Sequence, residues 1–204
     1  MATNLLTDLQ ERGLALGAEI LCVLDGSKAL RKAIRCVLGE RAPVQRCVRH
    51  KERNVLDQLP ERERPLIRAK LRAAWADTDH DAALSSLLAL ARQLERTHPD
   101  AAGSLREGLE ETLTVSRLGI SGALKRTLQS TNPIESMIGR VRDTQRNVKR
   151  WRPGDMRLRW TAAGMLEAER SFRRVNGFAQ LSTLTAAVRR ELTPSEEHAT
   201  LLAA

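Results

Sequence analysis

Glu19-Ile20-Leu21-Cys22-Val23-Leu24-Asp25-Gly26-Ser27 is the stretch on which the fold turns. A compact apolar run stops at an Asp-Gly pair, a frequent turn dipeptide, and that length and punctuation predict a buried strand rather than a helix. Ser27 is a good helix cap, and Leu30, Ile34, Val37 and Leu38 recur with a period near 3.6 before Gly39 closes the helix. A second short run, Pro43-Val44-Gln45-Arg46-Cys47-Val48, reads as another strand. It leads directly into a polar helix start at Arg49-His50-Lys51-Glu52-Arg53-Asn54. Strand, helix, strand and helix at these lengths predict a right-handed crossover unit and hence an α/β layer. Upstream, residues 1–18 read as a short amphipathic helix with Leu5, Leu6, Leu9 and Leu14 on one side, interrupted at Gly13 and Gly17.

This reading sets Asp25 at the carboxyl end of a strand, where open α/β sheets gather their ligand sites. Asp25 is equally suited to be an ordinary turn aspartate before Gly26, and the residues alone leave both roles open.

Strand signals then vanish from Pro60 to about Gly119. Leu66, Ile67, Ala69, Leu71 and Trp75 form one helical pattern, and Ala82 to Leu94 form another, capped near Thr78 and Asp79 and stopped at His98-Pro99. Leu105, Leu109, Leu113 and Val115 predict a third. The expected organisation is a strand–helix–strand core over 1–59, an all-helical insertion over 60–119, packing helices over 120–192 and a frayed tail over 193–204.

Past a polar, basic segment holding Lys125 and Arg126 comes Ser130-Thr131-Asn132-Pro133-Ile134-Glu135-Ser136-Met137. Three good N-cap residues and a proline predict a helix start here. Ile134, Met137, Ile138 and Val141 make its apolar stripe, while Arg140, Arg142, Arg146, Lys149 and Arg150 load the remainder with positive charge. Glu135 has two readings. It closes a capping box with Asn132, or it is a metal-liganding acid beside a phosphate track. After a turn at Trp151-Arg152-Pro153-Gly154-Asp155, residues 156–174 mix Met156, Leu158, Trp160, Ala163, Met165 and Leu166 with arginines. A last helix, Leu181 to Leu192, points Leu184, Ala187, Val188 and Leu192 inward.

Composition narrows the partner. Thirty-four Lys and Arg oppose 25 Asp and Glu, a formal net charge of +9 with Arg dominant, which favours nucleic acid over a membrane surface. Three Trp, two Phe and no Tyr argue against a surface of stacked single-strand bases. Three widely spaced Cys make no disulfide framework, and no apolar run approaches a membrane span, so a cytoplasmic protein is expected. Cys47 and His50, spaced C-x-x-H, are half of a zinc site at most, and Cys22, Cys36, His80, His98 and His198 are too scattered to complete one. A supporting role near the carboxylates is expected for His50 and for Asn54 one turn on, with Cys47 buried as a small hydrophobe.

Asp25-Gly26-Ser27-Lys28-Ala29-Leu30, Ala33-Ile34 and Gln45-Arg46-Cys47-Val48-Arg49-His50 with Arg53-Asn54 resemble the core of Mutator-type bacterial insertion-sequence transposases. Ser130 to Met137, followed by Arg140-Val141-Arg142, resembles the glutamate motif of that family. The two motifs stand in the family's order, and the resemblance runs from about Glu19 to Leu192. It implies an α/β fold, a partial ribonuclease-H-like core with an all-helical insertion, helix-rich overall. It also implies a DDE transposase that cleaves and transfers double-stranded DNA at transposon ends, holding Mg²⁺ (or Mn²⁺) between two Asp and one Glu. Asp25 corresponds to the second Asp and Glu135 to the Glu, both catalytic and metal-binding, with Cys47 and His50 matching the motif between them. Lys125, Arg126, Arg140, Arg142, Arg146, Lys149 and Arg150 are the expected DNA contacts. The family's first Asp belongs on an earlier strand, yet Asp8 is the sole Asp before Asp25 and its context is helical. The expectation is therefore a C-terminal half, inactive alone unless another chain supplies that acid, or else a non-catalytic DNA-binding or interaction remnant. A sheet reduced to its last strands would expose an edge and an apolar face, so self-association is expected.

Overall fold

The structure, a computed structural model, describes residues 1–15, 20–40, 42–152 and 154–192. Gly17, Glu19, Pro153 and the tail from Thr193 lie outside the described residues.

Helix α1 (Ala2–Glu11) lies alongside α2 and buries none of its own residues. Strand β1 (Cys22–Leu24), helix α2 (Lys28–Leu38) and strand β2 (Val44–Arg46) form the expected crossover. The strands pair in parallel with Cys22 opposite Val44, Val23 opposite Gln45 and Leu24 opposite Arg46. Parallel neighbours need such a connecting helix, because a tight turn cannot reverse the chain twice. Ser27 caps α2 by accepting the Leu30 N–H at 3.3 Å. Among the described residues these two strands are the whole sheet.

Helices then dominate. They are α3 (Val48–Leu56), α4 (Arg64–Ala76), α5 (His80–Glu95), α6 (Pro99–Arg106), α7 (Thr114–Arg117) and α8 (Gly122–Leu128). After them come α9 (Asn132–Gln145), α10 (Asp155–Glu169) and α11 (Leu181–Leu192). The third helix expected in the insertion is broken: α6 stops at Arg106, Gly108 takes a left-handed φ of +62°, and a 3₁₀ turn at Glu110–Leu113 leads into α7. Leu105, Leu109, Leu113 and Val115 are nonetheless all buried. Their spacing reflects a shared destination rather than one helix. The segment read only as polar and basic contains α8.

Two apolar clusters result. Val55, Leu71, Leu87, Ala91, Leu105 and Leu113 sit in the larger one, built from α3 to α6 and the 3₁₀ turn. Burying each such leucine contributes roughly 2 kcal/mol. The smaller cluster joins Val115, Leu118, Ile120 and Leu124 to Ala187 and Val188 of α11. Gln45 of β2 ties strand to insertion: its fully buried amide donates to Thr112 O at 2.8 Å and accepts Val115 N–H at 2.9 Å.

Helix α9 packs chiefly on α10, through Val141 and Gly164. A Cβ on Gly164 would lie 3.0 Å from Val141 Cγ1 and 3.2 Å from its Cα, so the helices touch where a side chain is missing. The apolar stripe of α9 is only partly covered. Only Val141 of α9 is buried, and Ile134 and Ile138 are 47% and 39% exposed. On α10, Leu158 and Leu166 are 70% and 64% exposed. Two helices packed along one seam leave several of their apolar residues partly in water.

Candidate active site

The β1 strand ends at Leu24, and the next residue carries the candidate acid. Asp25 Oδ1 accepts the Ser27 N–H at 2.9 Å, an Asx turn, while the residue stays solvent-exposed. The turn role is therefore occupied, and the second carboxylate oxygen remains open to a ligand. Gly26 follows at φ +110°, and a Cβ there would meet Arg46 Nη2 at 2.8 Å. Arg46 is 6% exposed and donates to Glu107 O at 3.1 Å and to Glu107 Oε2 at 2.9 Å.

Beneath Arg46 lies Lys51, fully buried, with Nζ bonded to Ser104 O and Glu107 O. Burial above all, and Arg46 beside it, push its ammonium down to about 8, against the opposing pull of Glu107. The hydrogen bond from Arg46 leads in holding Glu107 below the ordinary carboxylate value, against its own desolvation. Lys51, within the segment that reads as a polar helix start, and Arg46 of β2 thus clamp α3 and β2 to the end of α6.

Cys47 precedes α3, and its N–H donates to Leu24 O at 2.7 Å. Its thiol is wholly buried: the Thr131 N–H donates to Sγ at 3.4 Å, and the Thr131 hydroxyl oxygen lies 3.3 Å away. Burial pushes this thiol up, yet hydrogen bonds from Thr131 and His50 outweigh it and bring it down to about 7. The same Thr131 hydroxyl lies 3.3 Å from His50 Nδ1 and donates to Glu135 Oε1 at 2.5 Å. His50 Nδ1 is 3.8 Å from that oxygen. Val48 N–H donates to Gln129 O at 2.9 Å, which holds the approach to α9 against α3.

These bonds bring Cys47, His50 and Glu135 together through Thr131, and set Asp25 one residue from the Leu24–Cys47 link. In the sequence Thr131 reads only as a helix cap. Glu135 accepts the Thr131 hydroxyl rather than a backbone N–H, so the capping box is not formed. Asn54 is exposed one turn beyond His50 and makes no hydrogen bond or ion pair among the described residues. Asp8 pairs with Arg12 at 3.4 Å inside α1. Among the described residues, no three of His, Cys, Asp and Glu gather closely enough to hold a metal ion.

The expected DNA contacts divide. Arg126, Arg140, Arg142, Arg146, Lys149 and Arg150 are exposed. Helix α9 ends at Gln145, so the last three follow its C-terminus rather than lie on it. Arg142 stands two turns after Glu135 on the same face, about 10 Å along the axis, whereas Arg140 points to the far side. Lys125 leaves the set: it is 4% exposed, and its ammonium bonds to Asp77 O, capping the end of α4. Burial holds its pKa below the ordinary lysine value.

The family described as Transposase, Mutator family, matches residues 2–169. Over 139 residues, 68% of this chain, the sequence is 30% identical to the transposase for insertion sequence element IST2 of Acidithiobacillus ferrooxidans. It is also 30% identical over 139 residues to the transposase for insertion sequence element IS6120 of Mycolicibacterium smegmatis. Those residues are 46% and 42% of the two relatives, so the chain spans less than half the length of each. Among the described residues no helix is long and apolar enough to cross a membrane. With the motifs at Asp25 and Glu135 both inside the matched span, the chain belongs to the Mutator family of transposases.

Proposed function

We propose that this chain is the glutamate-bearing part of a DDE-type DNA transposase, acting in the cytoplasm at the nucleoid. Its β1–α2–β2 unit is then part of a ribonuclease-H-like core, residues 60–119 its helical insertion, and 120–192 the unit that carries the glutamate. Asp25 and Glu135 are the metal-binding and catalytic acids. The observation that carries this reading is the run of bonds from Leu24 through Cys47 and Thr131 to Glu135, which joins two motifs far apart in sequence.

The donor set fits one hard cation. Two carboxylates, each with an oxygen in reach of solvent, match the way Mg²⁺ is commonly held, by one or two acids with water and phosphate oxygens. When bound, Mg²⁺ (or Mn²⁺) supplies Lewis-acid polarisation of the scissile phosphodiester. A second ion needs a further acid, which we assign to another segment or chain. Thr131 and His50 orient Glu135, and Arg142, Arg146, Lys149 and Arg150, with Arg126, neutralise phosphates of double-stranded DNA.

The test is a Mg²⁺ or Mn²⁺ titration followed by thermal melting of the wild type, Asp25→Ala and Glu135→Ala. A metal-dependent rise in melting temperature that disappears in both variants is expected, since a ligand at 100 times its Kd stabilises by about 2.7 kcal/mol. No rise in the wild type would sink the shared metal site. A second reading, a DNA-binding remnant without catalysis, draws on the absence of a third acid among the described residues. It requires DNA binding that survives EDTA, with no cleavage after metal is restored.

A further inference from the structure

A groove of about 830 Å³ runs beside α9 on the side turned away from Glu135. Pro133, Ile134, Met137 and Arg140 form one wall, and Arg170 to Arg173, at the end of α10, form the other. That second wall is anchored at both ends. Phe172 N–H donates to Glu169 O at 2.9 Å, continuing the turn of α10. Gly177, at φ +81°, sits so tightly on α8 that a Cβ would lie 2.4 Å from Leu124 N.

The lining is apolar in its walls and cationic at its rim, with no carboxylate. Arg140 and Arg173 form no ion pair among the described residues, while Arg170 shares an exposed one with Glu167 at 3.0 Å. The Phe172 ring is 59% exposed. The other phenylalanine, Phe178, is 51% exposed and has the guanidinium of Arg174 at 5.2 Å from its ring centre, whereas no cation lies over Phe172 among the described residues. An uncovered flat ring beside free guanidinium groups matches a ligand that is itself flat at one end and anionic at the other. The walls extend two helical turns, about 10 Å, which suits one or two nucleotides and is short for an amphipathic peptide helix.

We propose that this groove holds an unpaired nucleotide of a DNA strand, its base against Phe172 and its phosphate on Arg140 and Arg173. The proposal rests on the DNA-transposase reading and adds a single-strand site on the face of α9 opposite Glu135. A surface with few aromatics needs only one ring for it.

Binding of the full chain to three fluorescent probes tests it: a blunt DNA duplex, the same duplex with a short single-stranded overhang, and an acidic amphipathic peptide. Phe172→Ala is expected to weaken the overhang probe about ten-fold, leave the blunt duplex unchanged, and be rescued by Phe172→Trp. Because the ring is exposed, an unchanged melting temperature confirms that each variant folds. Equal effects on both duplexes, no effect on either, or Phe172-dependent binding of the peptide alone would overturn the proposal. If blunt-duplex binding survives and still depends on Arg142, only the groove assignment falls. If no DNA probe binds at all, the DNA reading falls and takes the groove with it.

Discussion

Replacing Arg142, Arg146 and Lys149 together tests the basic track most directly. All three side chains are exposed and none is in an ion pair among the described residues, so each is free to meet a phosphate. The logarithm of the binding constant falls against log salt with a slope of about 0.9 per neutralised phosphate on duplex DNA. Losing three contacts should flatten that slope by roughly 2.7. The wild-type and variant lines should therefore converge near molar salt and separate by a few hundred-fold at about 0.1 M. Lys125→Met is the control the fold supplies. Its ammonium is spent on Asp77 O, so the variant should lose melting temperature and keep the wild-type slope. Anisotropy titrations at four or five salt concentrations give both slopes. Parallel lines for the triple variant would mean its loss is not electrostatic, and a flattened slope for Lys125→Met would mean the buried lysine does reach DNA. Either result refutes the division of the basic residues drawn from burial.

Lys51 makes stability depend on pH. Its folded-state pKa of about 8 lies below the ordinary 10.5, so between those values the unfolded chain holds the extra proton and stability rises with pH. The rise amounts to about 3 kcal/mol and should vanish in Lys51→Met, as urea melts from pH 7.5 to 10.5 would reveal; identical pH profiles would contradict it. Self-association should follow from the open apolar faces of α9 and α10. Sedimentation should show a concentration-dependent mass that falls toward monomer in Leu158→Lys with Leu166→Lys, the most exposed leucines of α10. A sharp monomer peak for the wild type at high concentration would count against it.

What the sequence reveals here is local, and what it hides is the identity of distant partners. The β1 turn, the Ser27 cap and the α2 period all lie within some twenty residues, and the structure repeats them. The Thr131–Cys47 contact spans 84 residues, and nothing in a run of Ser, Thr and Asn signals that one hydroxyl will leave the helix cap for a thiol and a glutamate. Buried cations are hidden for the same reason. Lys51 and Lys125 look like surface charges until Ser104 O, Glu107 O and Asp77 O, remote backbone acceptors, are set against them. Gly26 and Gly108 hold the one available clue, since both leave room for the Arg46 guanidinium.

The apolar stripe of α9 marks the limit of what periodicity reveals. Periodicity identifies which side of a helix is apolar but not whether anything covers it, and here Ile134 and Ile138 stay 47% and 39% exposed while Val141 is buried against α10. The same 3.6-residue period separates arginines that the sequence groups together. Arg142 returns to the Glu135 face, and Arg140 turns to the groove at Phe172. One helix therefore divides its basic residues between two surfaces. A duplex held along the Glu135 face and a displaced strand held behind it would make different demands on salt and on aromatic stacking. The triple variant should weaken both duplex probes and Phe172→Ala the overhang probe alone, and on the overhang probe their effects should be additive.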